Sequence, residues 1–310
     1  MDVEKYIVDN VLATMDIGDE YKKDIRDVYD RVRRLFITAS VNRNLDNFFL
    51  TRDAVNYCRA FHIPNTALIH GAKADYQTHN LWADVYNKTI KKAGLTDEEK
   101  SLLHCLRYML AVESRYSQIV DKVCYLLVWQ TNPPGMILGE NGYRCKKVDS
   151  VDTISTRCSL ATKLEFLTNG GFGDLAGACD TDLRNAAAHM TTIIGKPTVK
   201  NERYNTGTTA GFKTNFSIEG SDIHIKRRSK TGADSWEKLD IDKTGHRLDM
   251  TVWRYSIVFS LCNSVHTFTT TLRPALSNQD DLHRKFTFSK GKIRLSLNAS
   301  DKSLSGQTGP

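Results

Sequence analysis

LTDEEKSLLHCLRYMLAVESRYSQIVDKVCYLLVW, Leu95 to Trp129, is the stretch on which the fold turns. Thr96 and Glu99 have the spacing of a capping box, in which each side chain satisfies the other residue's free backbone N–H. Apolar side chains then recur at three- and four-residue steps: Leu102, Leu106, Met109, Tyr116, Val120, Val123 and Leu127. That period predicts one long amphipathic helix. Glu113 falls in the same stripe, and a carboxylate buried alone would cost several kcal/mol. Glu113 is therefore expected to pair with a cation or to open onto a polar cleft.

Working outward, TNPPGMILGENG is a loop, broken by Pro133 and Pro134. STRCSLATKLEFLTNGG predicts a helix with Leu160, Leu164 and Leu167 on one side, stopped at Asn169-Gly170-Gly171. A GFGDLAGAC connector leads to DLRNAAAHM, Asp182 to Met190, a helix with Asp180 or Asp182 at its N-cap and Gly195 and Pro197 as its stop. Around Gly220, the alternation of Phe216, Ile218, Ile223 and Ile225 marks a β-hairpin at about 212–228. DMTVWRYSIVFSLCNSVHTFTTTL places Met250, Trp253, Ile257, Leu261, Val265, Phe268 and Leu272 on one helical face. Four amphipathic helices with a hairpin before the last make residues 96–276 a four-helix bundle, and the fold class mainly α. The first 95 residues read as a helical region. Its clearest helix is EYKKDIRDVYDRVRRLFI, with Tyr21, Ile25, Val28, Val32, Leu35 and Phe36 in stripe after Asp19, and shorter helices follow in NLDNFFLTRDAVNYCRAF and NLWADVYNKTIKKA. Residues 277–310 read as a short hairpin, FTFSKGKIRLSL, and a disordered Ser/Gly-rich tail.

The chain has 310 residues, 40% hydrophobic and 25% charged, the composition of an ordinary globular protein. No apolar run reaches the length of a membrane helix, and the acidic start MDVEKYIVDN does not read as a leader, so a cytoplasmic protein without membrane contact is expected. Seven scattered cysteines without a C-x-x-C pair argue against a disulfide framework and a zinc site; most are expected as small core hydrophobes. His62, His70 and His79 are too irregularly spaced to suggest a metal site. The net charge of +7 is concentrated late: residues 195–310 carry 19 Lys and Arg against 11 Asp and Glu. There IKRRSK and FTFSKGKIR add basic stems and aromatics that could hold a polyanion, and Lys226, Arg227 and Arg228 are candidates to hold the phosphates of RNA.

The chemistry concentrates at Arg184, Asn185 and His189. On a regular helix Arg184 and His189 stand about 140° apart around the axis and roughly 7.5 Å along it, so they do not share a face. Ala186, Ala187 and Ala188 allow close approach of a second copy, and a homodimer across a two-fold axis would bring both pairs to one groove. A histidine titrating near neutrality moves protons between oxygens, and a guanidinium holds phosphate oxygens as charge builds on them. No set of metal ligands is evident, and no cofactor is expected. Phosphodiester cleavage without a metal is most accessible on RNA, where the 2′-OH supplies the nucleophile.

Arg184-Asn185-Ala-Ala-Ala-His189 resembles the motif of the HEPN superfamily: an arginine, a polar residue, and a histidine four to six positions on. The order of a long first helix, the KLEFLTNGGFGDL lead-in, the motif helix, a hairpin and a closing helix is similar over Glu98 to Leu276. The resemblance implies a dimeric, metal-independent endoribonuclease of a toxin–antitoxin or other defence system, with an antitoxin or defence partner protein. His189 would be the acid/base, Arg184 the phosphate-stabilising cation and Asn185 its polar partner; Glu113 joins them from the stripe, as catalytic residue or as clamp on Arg184. A tyrosine that some relatives carry two residues after the histidine is Thr191 here, which argues against inactivation by a partner nucleotidyltransferase. The alternative is a non-catalytic module that binds nucleotide or RNA, or mediates dimerisation in a larger assembly.

Overall fold

The computed structural model describes residues 3–42, 81, 84–92, 94–130, 135, 148, 151–188, 192–194, 216–227, 235–267, 284–289 and 292–297. It is mainly helical. In chain order the helices are α1 (Val3–Ala13), α2 (Asp19–Asn42), α3 (Asp97–Ala111), α4 (Ser117–Leu127), α5 (Val151–Arg157), α6 (Leu160–Asn169), α7 (Gly173–Ala176), α8 (Thr181–Ala188) and α9 (Ile241–Thr267). The strands are β1 (Thr192–Ile194), β2 (Phe216–Glu219), β3 (Asp222–Arg227), β4 (Ser235–Leu239), β5 (Arg284–Ser289) and β6 (Lys292–Leu297). Residues 84–90 are also helical. Among the described residues no helix is long and apolar enough to cross a membrane. The histidines at 62, 70 and 79, the helix expected near 44–61 and the Ser/Gly-rich tail lie outside the described residues.

The chain forms two compact units, Met1–Arg31 with Ile257–Pro310, and Val32–Ser256. In the first, Ile7, Val8 and Leu12 of α1 are buried, as are Ile25, Val28 and Tyr29 of α2. The Tyr29 hydroxyl donates to Glu4 at 2.8 Å, and Arg26 pairs with Asp9 at 2.6 Å. Further along α2, Val32, Leu35 and Phe36 are buried as the period predicts, whereas Tyr21 is exposed. β5 and β6 pair antiparallel, the second hairpin expected from FTFSKGKIRLSL.

In the second unit the Thr96 capping box forms: Thr96 N–H donates to Glu99 at 2.8 Å, and Glu99 N–H to Thr96 Oγ1 at 3.2 Å. The long helix that it starts is interrupted by a π-helical turn at Val112–Tyr116, which carries α3 into α4. The turn corrects the predicted stripe. A π turn takes in one extra residue, so the face that is buried at Tyr116, Val120, Val123 and Leu127 continues backward through Val112, Tyr108, Cys105 and Ser101. Leu102 is exposed instead, and Leu106 and Met109 are only half-buried. Glu113 therefore lies off the buried face, within the π turn.

α9 shows the same displacement. It begins at Ile241, earlier than expected, with Asp240 accepting from the Lys243 N–H at 2.9 Å as N-cap. Its buried side chains are Leu248, Thr251, Tyr255, Val258, Cys262 and Val265 along one line, with Leu261 and Phe259 beside it. Met250, Trp253 and Ile257 are half-buried. In both helices the core face carries hydroxyls whose oxygens are hydrogen-bonded. Tyr116 donates to the carbonyl of Leu175 at 2.8 Å, Thr251 to that of Arg247 at 2.9 Å, and Tyr255 to Asp174 at 3.2 Å.

Two other expectations change. The single helix expected over STRCSLATK is two, because Ser159 turns extended and caps α6 by accepting from Thr162 N–H at 3.2 Å. The alanine helix does not run on to Gly195: it is described over Thr181–Ala188, and Thr192–Ile194 form a strand. α6 does end at Gly170, where a side chain would run into Leu127 of α4. Cys105, Cys124, Cys179 and Cys262 are free and buried, as expected of small core hydrophobes, whereas Cys158 is disulfide-bonded.

The expected hairpin is β2–β3, with Phe216 opposite Ile225 and Ile218 opposite Ile223, all four buried. It belongs to a larger sheet in the order β1-β2-β3-β4, with β1 parallel to β2 and the rest antiparallel. Gly220, at φ +60°, makes the turn. The turn is tied to the first turns of α3: Gly220 N–H donates to Glu98 at 3.0 Å, and Ser101 Oγ donates to the Gly220 carbonyl at 3.1 Å. α8 packs between α3 and β3.

Candidate functional site

α8 is short, and its start is built from buried polar groups. Asp180 Oδ1 accepts from the Leu183 N–H at 3.1 Å, which makes Asp180 the N-cap. The Asp180 N–H donates to the Tyr108 hydroxyl at 2.6 Å, which joins the helix start to α3. Arg227, at the end of β3, closes over the same point. Its Nη1 donates to Asp180 Oδ1 at 2.8 Å and to Asp182 Oδ2 at 3.2 Å, its Nη2 to Asp180 Oδ2 at 2.6 Å, and its Nε to Glu237 of β4 at 2.9 Å. Burial would raise the pKa of Asp180, but the hydrogen bonds from Arg227 and from the Leu183 amide outweigh it and hold the carboxyl below its usual range. The hydrogen bonds that Arg227 donates to Asp180 raise the Arg227 pKa in return.

One turn further along α8, Arg184 and Asn185 reach the surface. Arg184 Nε and Nη2 meet Glu113 Oε1, and Arg184 Nη1 donates to Asn185 Oδ1 at 2.8 Å. The Glu113 side chain is 45% exposed and that of Arg184 26%, so this pair borders solvent. Cys179 and Tyr108 lie beneath it, and burial pushes the Cys179 thiol up to about 12, so it stays protonated and is no nucleophile at neutral pH. Ala186 is buried, Ala187 half-buried and Ala188 exposed.

Three of the residues expected to form the site thus come together: Glu113, Arg184 and Asn185. His189 follows the last residue of α8 directly in sequence and lies outside the described residues, as does Arg228. Lys226 is described, half-buried on β3 and opposite Trp236. Arg227, expected as an RNA contact, has its guanidinium against Asp180, Asp182 and Glu237. Sequence reasoning missed this because the partners of Arg227 in α8 stand 45 and 47 positions away. The signal was present only in part, as Asp180 and Asp182 at a helix start, where carboxylates are favoured in any case.

Comparison with protein-family models, with curated proteins and with solved structures finds no match to this chain.

Proposed function

We propose that the chain is a metal-independent endoribonuclease of HEPN type, acting in the cytoplasm as a homodimer in a defence or toxin–antitoxin setting. In this reading residues 96–276 are a HEPN-like four-helix bundle. His189 moves the proton between the 2′-OH and the leaving oxygen, and Arg184 stabilises the charge on the scissile phosphate. Asn185 and Glu113 orient the Arg184 guanidinium.

The observation that carries the proposal is the Glu113–Arg184–Asn185 cluster at the surface of α8. A guanidinium has five N–H donors in a fixed fork. A carboxylate on one side and an amide on the other fix its plane and leave further donors for phosphate oxygens. Holding such a group in place before substrate arrives is what electrostatic catalysis needs. His189 adjoins the end of the same helix in sequence.

The test uses purified protein, total RNA and a chelator. The unmutated protein is expected to cut RNA and leave cyclic phosphate ends. His189→Ala is expected to lose on the order of 10² to 10⁴ in rate while keeping RNA affinity. An unmutated protein that cuts no RNA with or without metal overturns the nuclease reading; if it still binds RNA, the chain is a non-catalytic binding module.

A further inference from the structure

The β2–β3 hairpin is fastened at both ends to the elements that carry the candidate site. Its turn is bonded to Glu98 and Ser101 of α3, the helix that leads into the Glu113 turn. Its far end, Arg227, is bonded to Asp180 and Asp182 at the start of α8, one turn before Arg184. Between the two, Tyr108 of α3 accepts from the Asp180 amide, which closes the ring of contacts. With Thr192 already in β1, α8 is shorter than about 12 residues, too short to hold its own direction in water. Where Arg184 stands against Glu113 is therefore set by what holds the helix start.

We infer that Arg227 is a positioning residue: through its two-pronged grip on Asp180 it sets the place of α8, and so the place of Arg184 beside Glu113. The role given to Arg184 rests on the ribonuclease reading; the positioning itself does not. A lysine at 227 would keep the charge but lose the planar fork that reaches three carboxylates at once. A methionine would keep the stem and lose both.

The full-length protein and its Arg227→Met and Arg227→Lys variants are compared by hydrogen exchange and by RNA cleavage. Positioning predicts faster amide exchange confined to residues 181–188, strongest in the methionine variant, with exchange across 117–127 unchanged. It also predicts a kcat lower by on the order of 10²-fold with KM little altered, the cost of slightly misplacing one group. Faster exchange spread over both helices means a merely structural role and overturns the inference. Unchanged exchange at 181–188, with a raised KM and a shallower salt dependence, overturns it in favour of direct phosphate contact. If the unmutated protein cuts no RNA, the ribonuclease reading fails, and the exchange pattern still decides whether Arg227 positions α8.

Discussion

Two arginines meet carboxylates within one turn of each other around α8, and their surroundings differ. Arg227 grips Asp180, whose side chain is 7% exposed, whereas Arg184 meets Glu113, whose side chain is 45% exposed. The buried carboxylate also caps the helix and receives both prongs of the guanidinium, so losing Arg227 leaves the Asp180 charge enclosed without its counter-ion, whereas Arg227 without Asp180 keeps Asp182, Glu237 and water. At the exposed pair, water replaces whatever is withdrawn. The same two residue types thus serve as a fastening at one place and as a pair bordering solvent at the other. The surroundings decide which.

The comparison breaks most visibly at Arg184. Replacing it by alanine is expected to lower RNA cleavage by about 10² to 10³, the effect of removing one oxyanion donor, with single-turnover rates as the measure. The same change should cost less than about 1 kcal/mol of stability, because exposed pairs contribute little. A large loss of stability would place Arg184 with the fastenings. Asp180→Asn, by contrast, should cost about 2–3 kcal/mol in urea denaturation, somewhat below the ~3–5 of a fully enclosed pair because Arg227 reaches solvent.

A pH series sharpens the contrast. The pKa of Asp180 is lower in the folded protein than in the unfolded chain, so its stabilisation is complete above the ordinary carboxylate range and is lost as pH falls below it. Acid should therefore loosen residues 181–188, read by amide exchange, and Asp180→Asn should remove that dependence. The smallest effect belongs to Glu113→Gln, which keeps the shape and removes the charge. Stability should change by less than about 1 kcal/mol, and affinity for inorganic phosphate should rise as Arg184 loses a competing carboxylate. Unchanged phosphate affinity would show that the pair does not open to ligands.

Much of the frame could be read from residue spacing. The Thr96–Glu99 cap, the alternation through Phe216, Ile218, Ile223 and Ile225, and the start of α8 at its aspartates are local patterns, and each stands in the fold. The faces of α3 and of the first part of α9 were not legible, although Leu261 and Val265 are buried as expected. A reading by hydropathy favours Leu102, Met109, Met250 and Trp253, whereas the core takes Ser101, Cys105, Tyr108, Thr251 and Tyr255. A hydroxyl that finds a carbonyl or a carboxylate no longer opposes burial, and that partner lies elsewhere in the chain. Glu113 shows both sides. Its need for a cation followed from the sequence, but the π turn that moved it off the buried face did not.

Short-range regularities, then, were determined by the sequence itself: the capping box at Thr96, the start of α8 at its aspartates and the alternation of the β2–β3 hairpin, since these depend on neighbours a few residues away. Tertiary structure alone decided that Arg184 would meet Glu113 while Arg227 would close over Asp180 and Asp182. The reason is that a charged side chain takes its role from the burial and the hydrogen-bond partners that distant segments bring to it, and no local pattern specifies those.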